Sequence, residues 1–294
     1  MESFKRILQD PPPAMAFEIA ETGIAVARMG SRPEFGFRPL KPGVLSVSPL
    51  KENVIEPDEL SLGVRALVGA QPLRKRRDVA LILPDFCTRI AVLDFDEFPS
   101  DPKEQLSLVR FRLKRSVPFD VESAAVGYWA QHVTGKKCDV VVVMTPLEIV
   151  SRYEAPFRSA GMNPGFVTPS VLAALELAPD GGLNVLAKLS GHVLTVVVRA
   201  NSVVKLVRCL EIPTPAWEDI AAVLQPTFVF AEDNLGAPVE RLILCGFGPD
   251  TDTAQRRFQA ELEVAAEPLR SPLGLPGENN AGLLGYLRSI AKYN

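Results

Sequence analysis

The first regular pattern along the chain is AMAFEIAETGIAVARMG, residues 14 to 30, with apolar positions on both sides of Glu21-Thr22-Gly23. The spacing predicts two short strands joined by a tight turn. Phe35 to Val47 predicts a third strand broken by prolines, and Pro57 to Val68 places Leu60, Val64, Leu67 and Val68 on one helical face. Two compact apolar runs, Asp78 to Asp85 and Thr88 to Phe95, predict strands. Pro102 then opens a helix whose buried face carries Leu106, Val109 and Leu113, and Ser116-Val117-Pro118-Phe119 stops it. Ala124 to His132 predicts a strand, and the run from Asp139 to Met144 has the pattern of a strand covered on both faces. A helix from Pro146 to Ala160 is closed by Gly161, and another runs from Ser170 to Leu177.

Pro179-Asp180-Gly181-Gly182 is the clearest break in the chain. Beyond it, Leu183 to Leu189, Val193 to Arg199 and Val203 to Leu210 predict a three-strand meander. Trp217 to Leu235 reads as a helix interrupted at Pro226. Arg241 to Gly248 is a strand running into a glycine turn. Thr251 to Glu261 is a helix, Glu263 to Pro268 a strand, and Asn279-Asn280 opens a final helix. Both halves repeat one plan, so the chain reads as a two-lobed α/β protein. Residues 1–13 form an N-terminal segment, 14–180 the first lobe and 181–294 the second, with the final helix returning toward the first. A small strand-rich insertion interrupts the first lobe at about residues 78–137.

Composition narrows the function. Hydrophobic residues make up 47% of the 294 and charged residues 23%, enough for a sizeable core. A net charge of −3 offers no basic excess, so nucleic acid is not an expected partner. The four cysteines (Cys87, Cys138, Cys209, Cys245) form no C-x-x-C pair, and the two histidines are far apart, so no zinc site is expected. Unpaired thiols of this kind suit a reducing compartment. The first residues lack the apolar run of a signal peptide, and no stretch approaches the ~20 apolar residues that span a bilayer. Phe4, Ile7 and Leu8 have amphipathic helical spacing before the stiff Pro11-Pro12-Pro13, so the first ten residues are either a frayed terminus or a docking helix. The basic run Arg74 to Arg77 reads as a solvated loop. There is no G-x-S-x-G elbow, no Walker A pattern and no supported Cys–His pair.

A duplicated lobe of this kind is the plan of the actin-like (ribonuclease H-like) fold. The blocks Phe17-EIAETGIAVARM, Val79-ALILPDFCTRIAVLDFDEFP, Leu108-VRFRLKRSVPFDVESAAVGY, Val141-VVMTPLEIVSRYEAPFRSAGMNPGFVTPSVLAALEL, Phe228-VFAEDNLGAPVERLILCGFG and Ala281-GLLGYL occur in the order of one family. Over roughly residues 15 to 290 the sequence resembles the type IV pilus assembly protein PilM. It is similar, more distantly, to the division protein FtsA and to the cytoplasmic part of L-type type II secretion proteins.

The resemblance implies a cytoplasmic assembly or scaffold protein of a pilus or related secretion machine. Its implied partner is the short cytoplasmic tail of a bitopic, PilN-type inner-membrane protein, which would attach it peripherally to the inner membrane; self-association is a further expectation. The alternative is an active actin-fold ATPase or sugar-kinase-like phosphotransferase.

An actin-like site implies ATP held between two hairpins. The first should read like D-x-G; here it is Glu18-Ile19-Ala20, followed by Gly23. The second is Lys188-Leu189-Ser190-Gly191, with a cation where a metal-side acid belongs. Lys188 could instead neutralise a phosphate without metal. Gly246-Phe247-Gly248 stands at the adenosine loop, where Phe247 crowds a nucleotide unless its ring turns away. The expectation is a degenerate cleft that holds no metal and does not hydrolyse ATP, with nucleotide bound, if at all, without turnover. The partner is expected at the inserted subdomain, in the cleft with the first lobe, around Arg110, Phe111, Arg112 and Phe119, by addition of an extended tail to a strand edge.

Overall fold

The computed structural model describes residues 12–30, 32–68, 77–134, 136–212, 214 and 216–292. The amphipathic first ten residues and most of the Arg74–Arg77 run lie outside the described residues.

In the first lobe, β1 (Met15–Ala20), β2 (Gly23–Arg28) and β3 (Glu34–Pro39) form an antiparallel meander. Helix α1 (Pro57–Val68) leads to β4 (Arg77–Leu83), which pairs parallel with β1. After the insertion, α3 (Leu147–Ser159), β8 (Met162–Pro169) and the short α4 (Ser170–Ala174) complete the lobe. The sheet order is β3-β2-β1-β4-β8. All six residues of β1 are buried because both faces of the sheet are covered. Leu60 and Val64 of α1 and Tyr153 and Phe157 of α3 pack on one face; Leu283, Tyr286 and Leu287 of the last helix, α7 (Ala281–Ala291), pack on the other. The final helix thus packs on the sheet of the first lobe.

The second lobe repeats the plan. Strands β9 (Leu183–Ser190), β10 (Val193–Ala200) and β11 (Val203–Glu211), helix α5 (Trp217–Leu235), β12 (Arg241–Cys245), α6 (Thr251–Leu262) and β13 (Ala265–Pro268) give the order β11-β10-β9-β12-β13. Strand for strand, this is the order of the first sheet.

The inserted subdomain is a separate antiparallel sheet, β5-β7-β6, built from β5 (Arg89–Phe95), β6 (Ala124–Thr134) and β7 (Lys137–Pro146), with α2 (Pro102–Leu113) on one face. Its limits differ from the expected 78–137. β4 is a central strand of the first lobe, and the run 139–144 is the middle strand of the insertion. Both centre on short apolar runs, Val79 to Leu83 and Val140 to Met144, and periodicity does not tell which sheet covers such a run. The face of this sheet away from α2 packs on the second lobe, where Ile90, Val92 and Val143 meet Val204 and Val207. Gln131 reads the backbone of Val204 from both sides, donating from Nε2 to its carbonyl at 3.0 Å and accepting its N–H at 2.9 Å. Lys205 pairs with Asp139 at 2.6 Å beside it.

Two further expectations are corrected. The third strand ends at Pro39 rather than Val47, and beyond it only an isolated bridge joins Leu45 to Val54. Helix α5 runs unbroken through Pro226. The ring lies on the solvent face, and so does Ala222, whose carbonyl loses its partner four residues on and is open to water.

Candidate interlobe site

Glu18 sits in the middle of the first hairpin strand, 1% exposed. Its carboxylate accepts from Ser170 Oγ at 2.5 Å, from Leu283 N at 2.7 Å and from Gly282 N at 3.3 Å. The last two donors are unpaired N–H groups in the first turn of α7, so Glu18 caps that helix from the opposite end of the sequence. The approach needs glycine at 282, because a Cβ there would press on Ile82 and on Ser170. Burial pushes the Glu18 pKa above the usual carboxylate range, against the pull of Lys188, Ser170 and Leu283.

Lys188, also 1% exposed, enters from the second lobe. Its Nζ lies 2.9 Å from Asp85 Oδ2, with both side chains 2% exposed. Asp85 stands just after β4, where the insertion leaves the first lobe. It accepts also from Val171 N at 2.6 Å and from Thr195 Oγ1 at 3.3 Å. Burial alone would lower the Lys188 pKa; Asp85, and then Glu18, outweigh it and hold the pKa above the usual lysine value. The group is an ion network crossing from the first lobe (Glu18, Asp85, Ser170) to the second (Lys188, Thr195). Around it, burial pushes the thiols of Cys209 and Cys245 up to about 12, so they stay protonated.

The loop before α7 closes the space between the two hairpin tips. Thr22 Oγ1 donates to Asn279 Oδ1 at 2.6 Å and lies 3.4 Å from Glu278 Oε1. Gly191 N, at the tip of the second hairpin, donates to Glu278 Oε2 at 3.2 Å. Ala20 is buried opposite Gly23, and a Cβ at Gly23 would strike the Phe37 ring. Ser190 ends β9, half-buried. Gly246 has φ +82°, and a Cβ there would collide with the Leu189 carbonyl, so this glycine is a requirement of the strand-end turn itself. The Phe247 ring turns into the second core, stacked on Trp217 at 6.4 Å and edge-on to Phe258. Beside the loop, a cleft of about 720 Å³ opens between Gly246 and Gly248 on one side and Phe35 and Phe37 on the other.

Of the residues singled out in the sequence, Glu18 and Lys188 lie in the buried interlobe network, Gly191 at the second hairpin tip, and Gly246 and Gly248 along the cleft. It missed Asp85, Ser170 and Glu278. Asp85 carried a signal: a carboxylate just beyond the apolar run Val79 to Leu83, in a chain with a lysine inside another largely apolar strand. The residues present do not fit a magnesium nucleotide. Glu18 is spent on α7, Asp85 on Lys188, and the Gly191 amide on Glu278, while Lys188 brings a cation to the metal side. Among the described residues, no group of three or more His, Cys, Asp or Glu side chains could hold a metal ion.

The four partner candidates lie apart, on the inserted subdomain. Arg110 pairs with Glu122 at 3.1 Å, and Arg112 reaches Asp94 at 3.4 Å with its guanidinium 5.0 Å over the Phe95 ring. Phe119 is half-buried against the insertion core. Phe111 stands out at 75% exposure. Among the described residues, no helix is long and apolar enough to cross a membrane.

No model of a protein family matches this sequence, and no curated protein matches it. Solved structures do. A chain from a PilM–PilN type IV pilus biogenesis complex superposes with a TM-score of 0.76 at 18% identity, over 96% of this chain and 99% of that one. A Bacteroides thetaiotaomicron protein with an actin-like ATPase fold and unknown function gives 0.56 at 11% identity, over 94% and 95%. The cytoplasmic domain of EpsL, an inner-membrane component of the Vibrio cholerae type II secretion system, gives 0.49 at 13%, over 78% and 80%. With its two matching sheets and a cleft between them, the chain has the actin-like fold, and it shares that fold along nearly its whole length with a chain of a pilus biogenesis complex.

Proposed function

We propose that the protein is a non-catalytic assembly component of a type IV pilus or related secretion machine, binding the cytoplasmic tail of a PilN-type inner-membrane partner. The observation that carries the reading is the Lys188–Asp85 pair with Glu18 on the α7 N-terminus. Phosphoryl transfer on an actin-like frame needs free acids and a metal, and these groups are bound to one another instead. An actin-like frame stripped of that chemistry still presents surfaces. The likeness to a chain of a PilM–PilN complex supports this partner class. Binding such a tail would hold the protein at the cytoplasmic face of the inner membrane.

The first consequence is that magnesium and ATP give no phosphate release. Release above a protein-free blank, dependent on magnesium, overturns the non-catalytic half of the reading. The cleft beside Gly246 and Gly248 favours a second reading, in which ATP binds without being hydrolysed. Isothermal titration with ATP decides it, since a silent titration removes nucleotide altogether.

For the partner, we place the tail against Phe111 on α2, on the same subdomain as the half-buried Phe119. Arg110 and Arg112 are already held by Glu122 and Asp94, so the exposed ring is the free anchor. Phe111→Glu is expected to weaken binding of the tail peptide at least tenfold, about 1.4 kcal/mol, in fluorescence anisotropy. Its melting temperature should hold, because an exposed ring contributes little to the fold. Unchanged affinity in a folded variant moves the partner site elsewhere.

A further inference from the structure

Strand β3 is the open edge of the first sheet, and five of its six residues are exposed. Leu40 N donates to Thr22 O at 3.1 Å and Met29 N to Ala14 O at 2.7 Å, which fixes the hydrogen-bond alternation through the meander. Ile24, Val26 and Arg28 of β2 bond to Arg38, Gly36 and Glu34 of β3. The main-chain N–H and C=O groups of Phe35 and Phe37 therefore point outward, at the free edge. Both rings are half-exposed, at 49% and 50%, and lie on the same face. Natural edges are blunted with lysine, proline or a bulge. Here Pro33 and Pro39 bracket the edge and confine pairing to the open stretch between them, Glu-Phe-Gly-Phe-Arg.

We propose that β3 pairs antiparallel with β3 of a second copy of this chain, joining the two first-lobe sheets across a two-fold axis at Gly36. The sequence is self-complementary about that axis. With Gly36 opposite Gly36, Phe35 faces the second copy's Phe37, and the outward N–H and C=O groups of both residues meet in hydrogen-bonded pairs. Glu34 faces the second copy's Arg38 at a non-hydrogen-bonded position, where side chains come closest. A two-fold contact requires each residue to find its complement in its mirror position, and the alternating charge–aromatic–glycine order supplies it. The existing Arg28–Glu34 contact, 4.0 Å and exposed, is compatible with this, since Glu34 then lies between two arginines. A one-residue slip would set Phe35, or in the other direction Phe37, against Gly36 and separate the charges.

Sedimentation velocity of the full chain over a series of concentrations tests the pairing. The parent is expected to pass from monomer to dimer. Glu34→Arg and Arg38→Glu each place like charges opposite one another twice, so each should weaken the dimer at least about tenfold. An equimolar mixture of the two variants should recover it, because every pair in the mixed dimer is then Glu against Arg. Both substitutions are on exposed side chains, and unchanged melting curves would confirm that folding is intact. A parent that stays monomeric up to its solubility limit overturns the proposal, and leaves the edge to a foreign strand. So does a dimer indifferent to both reversals, or a mixture that behaves like its components.

Discussion

Lys188→Met is expected to destabilise the protein by about 3–5 kcal/mol in a denaturant titration, because it leaves Asp85 buried without its counter-ion. The loss should exceed the pair's net worth. Lys188 and Asp85 both gave up hydration to meet at 2.9 Å, and removing one leaves the other's desolvation uncompensated. Adding Asp85→Asn should recover most of the loss. The amide oxygen still accepts from Val171 N, and no buried charge remains on that side. The pair raises the Lys188 pKa above its ordinary 10.5, so its contribution is whole below that pH and fades only as pH climbs past the raised value. If the single change costs less than about 1 kcal/mol, the pair is a solvated surface contact and not a tie between lobes.

The second large effect comes from a substitution that helix propensity alone would favour. In an isolated helix Gly285→Ala is stabilising by about 1 kcal/mol. Here a Cβ on Gly285 collides with the carbonyl oxygen of Ala173 and comes within 2.9 Å of Ala174 Cα, both backbone atoms of α4. Backbone does not rotate aside, so α7 must lift. Lifting draws the Leu283 and Gly282 amides off Glu18, and a buried carboxylate loses its donors. The expected outcome is a loss of about 3 kcal/mol, seen as a lower melting temperature. A raised melting temperature would show that α7 is not seated on α4.

Much of this arrangement was legible in the sequence, for identifiable reasons. Each lobe opens on a hairpin whose turn residues are explicit, Glu21-Thr22-Gly23 and Ser190-Gly191, and the break at 179–182 separates them. Gly161 does close α3 with a left-handed backbone, φ +80°. The failures share a cause. β4 and β7 are equally apolar, and only tertiary contacts assign one to the first lobe and the other to the insertion. Lys188 could be read as the loss of an acid, yet its partner lies 103 positions earlier, beyond any local pattern. The capping of α7 by Glu18 spans 265 positions and was equally hidden. Proline at 226 broke a helix on paper but not in the fold, because exposure of that side of α5 was not visible in its composition.

The grip of Gln131 on Val204 has a mechanical consequence. The insertion is spliced covalently into the first lobe at two points, before β5 and after β7, but it is fastened non-covalently to the second. A pull delivered to the insertion is therefore shared by two routes. One runs through the chain into β4 and α3, and the other through the Gln131 amide, the Lys205–Asp139 pair and the packed valines into β11. Tension on that subdomain is therefore shared between the first and the second sheet, rather than borne by the chain connections alone.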